Sequence, residues 1–261
     1  MEEDIKRNDT LNKEFQELLS PEGYLVAVKL VKSSEIEGLG RVKRADGRNT
    51  FCQLLSQTRY IGHARLVGAN DQLCYAFPFF FGLGDLPEGA TKRYVGWQLK
   101  TEEAAIKAYE VIPRFPKGIY DAVFISPLSR CPVAPDVVVF WGNPQQMLCI
   151  LAGYLFDKGG TFTMESNNMG SCAGVIVAPV LQKRPKIIIP GNPMRLLGLP
   201  NNTDLACGIP GNMLEALAEN MRFLKTHGGS SYPAAWQITQ WQPQSPIGDL
   251  LKPDGFPSWL R

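Results

Sequence analysis

Hydrophobic positions along this chain follow helical spacing in some segments and strand-like runs in others. Leu11, Phe15, Leu18 and Leu19 recur at helical intervals and predict an amphipathic helix over residues 4–19. The apolar, β-branched run over 24–31 predicts a buried strand. The same reasoning predicts further helices over 49–61, from Cys74, from Thr101, over 144–156 and over 211–224, further strands over 64–67, 94–99, 122–126, 137–140, 161–164 and 186–189, and a helical or extended segment over 172–180.

Strands and helices alternate in this pattern, which favours an α/β or α+β architecture. The two halves also echo each other weakly, because Cys52 and Cys74 lie 22 positions apart and Cys149 and Cys172 lie 23 apart. We therefore predict two related βαβ-rich lobes packed about a pseudo-twofold axis in a single compact unit, although chance similarity between βαβ units gives the same pattern. The expected division is an N-terminal helix over 1–23, a first lobe over 24–114, a second lobe over 115–230, and a C-terminal tail over 231–261 that wraps the surface.

Composition and charge narrow the classes of partner. The 261 residues are 44% hydrophobic and 20% charged, as in ordinary soluble proteins. A net charge of +2 gives no basic field of the kind that nucleic-acid binding needs. The longest apolar runs reach about ten residues, short of the ~20 that span a bilayer, and the charged N-terminus lacks a secretory signal. We expect a cytoplasmic protein with no nucleic-acid or membrane partner, whose cysteines remain thiols.

The cysteines are the first candidates for chemistry. The chain has six, but it has no C-x-x-C motif and holds just two histidines, so an imidazole-rich metal site is disfavoured. A site built from distant thiolates would suit an iron–sulfur cluster. The candidate metal ligands are Cys52, Cys74, Cys172 and Cys207. The alternative is that these cysteines are small apolar packing residues in the core.

Four polar residues are candidates for binding a small molecule near such a centre. Gln53 follows Cys52 directly, and Asn143 and Gln145 lie where a predicted strand gives way to a helix, a common ligand position in α/β sheets. Arg195 follows the predicted strand over 186–189 and could clamp an anionic group. The alternative is that these residues are caps and turns, with Arg195 paired to Asp204.

The order of motifs resembles that of the uncharacterised ArCR-type family, domain of unknown function 169. The resemblance covers residues 10–230 and is carried by Val26–Lys29, Phe51-Cys52-Gln53, Cys74 before an apolar run, Pro127-Leu128 before Pro135–Val138, Asn143-Pro-Gln145, Cys172, and residues 204–210 before a final helix. It implies that Cys52, Cys74 and Cys172 match the family's cysteine pattern. Its members are found in anaerobic bacteria and archaea, which is compatible with an oxygen-sensitive cluster, but the family name implies no reaction.

These observations lead to one main functional hypothesis and two alternatives. The main hypothesis is a cysteine-ligated iron–sulfur or other metal centre between two lobes, which binds a small anionic or carbonyl-containing ligand for redox or Lewis-acid chemistry and exchanges electrons with a partner protein. The first alternative is a metal-free enzyme in which Cys74 or Cys172, with a pKa lowered at a helix start, is the nucleophile. The second is a non-catalytic small-molecule binding or sensor protein. Whether the chain is an enzyme stays open.

Overall fold

An antiparallel sheet of six strands passes through the middle of the molecule. The structure is a computed structural model that describes residues 2–227 and 229–233. The strands are β1 (Val26–Val31), β2 (Arg65–Val67), β3 (Ala122–Pro127), β4 (Val137–Gly142), β5 (Lys186–Ile188) and β6 (Leu205–Pro210). Their order across the sheet is β2-β3-β1-β4-β6-β5, and each neighbouring pair is antiparallel. Strands β1 and β4 therefore lie side by side at the centre of the sheet.

Eight α-helices in the described part of the chain cover this sheet. They are α1 (Glu2–Leu19), α2 (Phe51–Ile61), α3 (Phe77–Phe80), α4 (Glu102–Val111), α5 (Pro144–Leu155), α6 (Ala178–Gln182), α7 (Asn192–Gly198) and α8 (Leu214–Thr226). A π-helical segment, Ala173–Val177, runs directly into α6. π-Helical turns are rare and are found often at functional sites.

Both faces of the sheet are buried, each in its own hydrophobic cluster. Alternate residues of β1 divide between the two: Val26 and Val28 point to one cluster and Ala27 to the other. We name the faces after their helices. On the α2 face lie α2, α3, α4, α7 and the π-helical segment. On the α1 face lie α1, α5 and α8. Burial on both faces explains why the central strands read as continuous apolar runs.

Local signals in the sequence position the main elements correctly. Helix α2 begins with a capping box in which Thr50 accepts from the amide of Gln53, and α5 has the same arrangement between Asn143 and Gln146. Gly62 ends α2 in the left-handed conformation that glycine favours. The predicted mixed α/β class and the positions of α1, α2, α5, α8, β1, β2, β3, β4 and β5 are confirmed within a few residues.

Other expectations differ from the structure. Strand β3, which falls in the predicted second lobe, lies between β1 and β2 of the predicted first lobe, so the two regions share one sheet. The segments 94–99 and 161–164 are not strands but irregular or turn structure. The helix predicted from Cys74 is the short α3, and β6 is a strand that the pattern did not predict.

No helix within residues 2–227 and 229–233 combines the length and apolar character that crossing a membrane requires. Of the predicted surface tail over 231–261, residues 234–261 lie outside the described part of the chain.

Candidate functional site

Three of the predicted ligand cysteines come together on the α2 face. Cys52 lies in the first turn of α2, Cys74 lies just before α3, and Cys172 immediately precedes the π-helical segment. All three belong to or pack against the same hydrophobic cluster, and the charge of Cys74 and of Cys52 would each act on Cys172. Cys172 is buried, whereas Cys52 and Cys74 keep part of their surface exposed. Segments that lie far apart in sequence thus place three thiols in one neighbourhood.

The pKa of each of these thiols lies above its ordinary value. Burial raises the pKa of Cys52 to about 12, with a further contribution from Cys74. Burial also raises the pKa of Cys74, although the amides of Ala76 and Phe77 donate to its sulfur and oppose this effect. The pKa of Cys172 is raised by burial first and then by the two neighbouring thiols. The sequence predicted lowered pKa values at helix starts, but desolvation outweighs the helix dipole here.

Three thiols are ligands that a soft metal prefers, but these three are not close enough together to bind one ion in the present structure. Within residues 2–227 and 229–233, no group of three or more His, Cys, Asp or Glu side chains is placed so that it could hold a metal ion. A shared ion would therefore have to draw the thiols closer and displace their protons.

A cluster of tyrosines lies beside Cys74 that the sequence reasoning did not select. The rings of Tyr75 and Tyr94 are 5.9 Å apart, and those of Tyr94 and Tyr109 are 6.1 Å apart. The pKa of each tyrosine is raised, chiefly by burial, and each of these values also responds to Cys74. The guanidinium of Arg93 lies 4.6 Å from the ring centre of Tyr75. Cys74 therefore lies close enough to these three tyrosines for its charge to affect their pKa values.

The remaining cysteines do not join this cluster. Cys207 on β6 and Cys149 on α5 are buried in the cluster of the α1 face, on the other side of the sheet from Cys52. Burial alone raises the pKa of Cys207. The sulfur of Cys149 lies 3.5 Å from the Ser230 hydroxyl, and that of Cys131 lies 3.1 Å from the Val133 carbonyl oxygen. The predicted fourth ligand, Cys207, is thus separated from the other three by the sheet, and Cys149 is not the counterpart of Cys52.

The four predicted ligand-binding residues are not brought together. Gln53 caps α2, and the amide oxygen of Asn143 accepts from the backbone of Gln146 at the start of α5. Gln145 donates to the carbonyl of Ser231 at 3.0 Å. The guanidinium of Arg195 donates to four backbone carbonyls at 3.1 to 3.4 Å, one before α7 and three in the loop before β6. Each of these side chains therefore has a hydrogen-bond partner within the protein.

A cavity of about 280 Å³ opens beside the edge strand β5 on the α2 face. Apolar and polar side chains share its wall in comparable measure. The residues that line it are Val111, Ile112, Pro113, Glu165, Ser166, Asn167, Met169, Gly170, Ser171, Gly174, Ala178, Gln182, Lys186 and Ile188. Ser171 is adjacent in sequence to Cys172, so the cavity and the thiol cluster meet at the start of the π-helical segment.

Lys186 is the charged group that distinguishes this cavity. Its side chain is only 3% exposed, and its ammonium lies 2.9 Å from the carboxylate of Glu165, whose side chain is 64% exposed. The hydroxyls of Ser166 and Ser171 accept from the amides of Ile189 and Gly191, which ties the cavity wall to the chain leaving β5. One local signal marks this position in the sequence: a lysine opens the otherwise apolar run Lys186–Ile189.

Comparisons with known proteins agree with the resemblance drawn from the motifs. A protein of Methanocaldococcus jannaschii, described as uncharacterized, is 27% identical over 212 residues, which cover 79% of this chain and 90% of the relative. No solved structure gives a significant match. The model of the family described as uncharacterised ArCR matches residues 14–220, and the chain therefore belongs to this family, domain of unknown function 169.

Proposed function

We propose that this protein binds a small anionic or carbonyl-containing ligand in the cavity beside β5, where the ammonium of Lys186 donates a hydrogen bond to an oxygen of the ligand. The observation that carries this proposal is a lysine that is 97% removed from solvent yet lines an open cavity (its side chain is 3% exposed). No other lysine or arginine is among the described residues that line this cavity.

The energetics of the ion pair favour such a role. Removing an ammonium from water costs several kcal/mol unless a counter-ion buried in the same environment offsets the cost. Glu165 is a poor partner in this sense because solvent screens its exposed carboxylate. A ligand oxygen inside the cavity would meet Lys186 in a drier environment, where the same charge contact is stronger. A buried anion would therefore stabilise the Lys186 ammonium more than the exposed Glu165 does.

Thermal unfolding in the presence of acetate, acetamide and inorganic phosphate tests this proposal. We expect acetate to raise the melting temperature of the wild type in a concentration-dependent manner, because a ligand that binds only the folded state stabilises it. Lys186→Met keeps the length and removes the charge, so it should abolish the response. Lys29→Met is the matched control, since Lys29 also forms a 2.9 Å ion pair on a strand, with Asp136, away from the cavity. The proposal is wrong if none of the three compounds stabilises the wild type, or if Lys186→Met responds equally.

As a second candidate function, we propose a thiolate-held metal or iron–sulfur centre on Cys52, Cys74 and Cys172. The convergence of these three thiols on one face favours it. A metal would lower their raised pKa values and release protons on binding. The centre would work in the reducing cytoplasm of an anaerobe, with an electron-transfer partner if its chemistry is redox. Gln53, Asn143, Gln145 and Arg195 have structural partners, so they do not enter this proposal.

Anoxic purification followed by iron and acid-labile sulfide analysis tests the second candidate. We expect iron in stoichiometric amount and a brown protein, with iron lost from Cys52→Ala and Cys172→Ala. Cys207→Ala is the matched control, because Cys207 is buried on the opposite face of the sheet. Colourless anoxic wild-type protein without iron would exclude the centre. So would equal iron content in the Cys207→Ala and Cys172→Ala variants.

We also propose that two halves of the chain, one carrying β1 to β3 and the other β4 to β6, are related by a pseudo-twofold axis between β1 and β4. This boundary lies after β3 and therefore later than the predicted one at residue 115. The strand order supports this, because β1-β2-β3 and β4-β5-β6 each place their third strand between the other two. In this pairing α2 corresponds to the π-helical segment with α6, since each precedes the second strand of its half and packs on the α2 face. Cys52 and Cys172 then occupy equivalent positions near the helix starts, which places the proposed thiol centre between the halves.

A further inference from the structure

Glu165 reaches Lys186 from the solvent side of the cavity. Its Oε2 lies 2.9 Å from the Lys186 Nζ, and the hydrogen bond and charge of the lysine lower the pKa of the glutamate. Glu165 is therefore ionised at neutral pH while 64% of its side chain remains exposed. Lys186 is therefore paired with a carboxylate of the protein itself, and that carboxylate is largely exposed to solvent.

This carboxylate can leave while the neighbouring residues of the cavity wall stay in place. Residues 161–167 have no regular secondary structure, so no helix or strand constrains the Glu165 side chain. The next residue is fixed, because the Ser166 hydroxyl accepts from the Ile189 amide at 2.8 Å. Asn167 is fixed as well, since its side chain accepts from the Met169 amide at 2.8 Å. Rotation about the torsions of Glu165 is therefore sufficient to clear the ammonium.

From these observations, and resting on the proposed function, we infer that Glu165 is a displaceable internal counter-ion, and that the ligand which replaces it is a small monocarboxylate with an apolar body. The exchange is isoelectric: one carboxylate leaves Lys186 for water and another takes its place inside the cavity. No charge is left unpaired at either stage.

The lining of the cavity defines the ligand class. With Lys186 as the single cation among the described lining residues, one negative charge is balanced and a dianion such as phosphate is not. Ile112, Met169 and Ile188 supply buried apolar wall close to this cation. Each methylene group buried there adds to affinity through the hydrophobic effect. A volume of about 280 Å³ limits the ligand to a small molecule.

Glu165 also competes with the ligand, which gives the inference a distinctive prediction. Because Glu165 is tethered beside Lys186, a ligand binds only the fraction of molecules in which the ammonium is free, and its apparent affinity falls by that fraction. Exposed ion pairs hold their partners weakly, so the loss of this competitor should tighten ligand binding roughly fivefold.

Calorimetric titration with isovalerate, acetate, isovaleramide and inorganic phosphate tests the inference in four proteins: wild type, Glu165→Gln, Glu215→Gln and Lys186→Met. We expect isovalerate to bind the wild type more tightly than acetate, and both to bind more tightly than phosphate or isovaleramide. Glu165→Gln should bind isovalerate roughly fivefold more tightly than the wild type. Glu215→Gln is the matched control, because Glu215 is also 64% exposed and pairs with Arg7 at 2.7 Å outside the cavity, so its isovalerate affinity should equal that of the wild type. Lys186→Met should not bind isovalerate.

The outcomes separate the inference from the function on which it rests. If isovalerate binds the wild type and Glu165→Gln with the same Kd, the inferred role of Glu165 is wrong, and the proposed function is unaffected. Acetate that binds as tightly as isovalerate, or phosphate that binds more tightly than either, would overturn the ligand class. The absence of binding by every compound to both the wild type and Glu165→Gln would overturn the proposed function itself.

Discussion

Arg59 and Asp204 form an ion pair in the interior of the protein, with Nη2 of the arginine 3.0 Å from Oδ2 of the aspartate. Their side chains are 2% and 6% exposed, and they join the last turns of α2 to the residue before β6. The guanidinium also lies 5.4 Å from the ring centre of Trp141 on β4. This pair fixes the end of α2 over the sheet, whereas Arg195 contacts Asp204 through the backbone carbonyl of the aspartate.

Loss of one partner of this pair should destabilise the fold strongly. Asp204→Asn leaves the buried guanidinium with only the exposed carboxylate of Glu22, at 3.7 Å, as a charged partner. We expect the free energy of unfolding to fall by about 3–5 kcal/mol. The double variant Arg59→Met with Asp204→Asn removes the uncompensated charge and should recover part of this loss. Urea unfolding measures both. The exposed pair Arg7–Glu215 is the control, and Arg7→Met should cost less than about 1 kcal/mol. An Asp204→Asn variant no less stable than this control would contradict the prediction.

Close backbone contact between β6 and the π-helical segment requires a glycine at position 208. A Cβ added to Gly208 would lie 1.8 Å from the carbonyl oxygen of Val175. Because that neighbour is backbone, it cannot move aside without shifting the segment, so we expect Gly208→Ala to reduce the free energy of unfolding by about 1–3 kcal/mol or more. Gly38→Ala is the control, since nothing lies within 4 Å of its added Cβ. Equal urea midpoints for the two variants would show that the contact does not constrain the fold.

Sequence patterns predicted the elements whose signals are local. The capping boxes at Thr50 and Asn143 are complete within four residues, and the helices that they start lie where predicted. Strand β6 was missed because Leu205–Pro210 contains a glycine and ends in a proline, both of which weaken a strand signal. Its identity as a strand depends on pairing with β4 and β5 on its two sides, which no local pattern records.

The same distinction between local and distant signals applies to the candidate site residues. Cys52, Cys74 and Cys172 could be selected because cysteine chemistry narrows the candidates to six residues. The burial of Lys186 could not be predicted, because it depends on the position of β5 at the sheet edge and on a loop 21 residues earlier that carries Glu165. The side of the sheet on which Cys207 lies follows from strand register, and a shift of one residue would reverse it.

Thiol labelling of the native protein should distinguish two classes of cysteine. Cys52 and Cys74 are partly exposed, whereas the other cysteines are buried, so just these two should react with iodoacetamide before unfolding. Both should react slowly at neutral pH because their pKa values are raised and thiolate is scarce. Mass spectrometry of the labelled peptides checks this. A native protein in which Cys207 is labelled as fast as Cys74 would contradict the burial on which the assignment depends.

The raised thiol pKa values also predict how stability depends on pH. An unfolded thiol titrates near pH ~8.5, whereas burial raises the pKa of Cys52 to about 12. Between these values the folded state binds more protons than the unfolded state, so the free energy of unfolding falls as pH rises through this window and is unaffected by this thiol below it. Each such thiol contributes a slope of about 1.4 kcal/mol per pH unit.

Urea unfolding at about pH 8, 9.5 and 10.5 measures this slope in the wild type and in Cys52→Ala. We expect the variant to lose stability less steeply with pH, by up to about 1.4 kcal/mol per pH unit, because one titrating group has been removed. Ser56→Ala, on the same helix, removes a hydroxyl that does not titrate and should keep the wild-type slope. If Cys52→Ala and the wild type lose stability in parallel, Cys52 is not protonated in the folded protein above pH ~9. That result would contradict the conclusion that burial dominates the titration of Cys52.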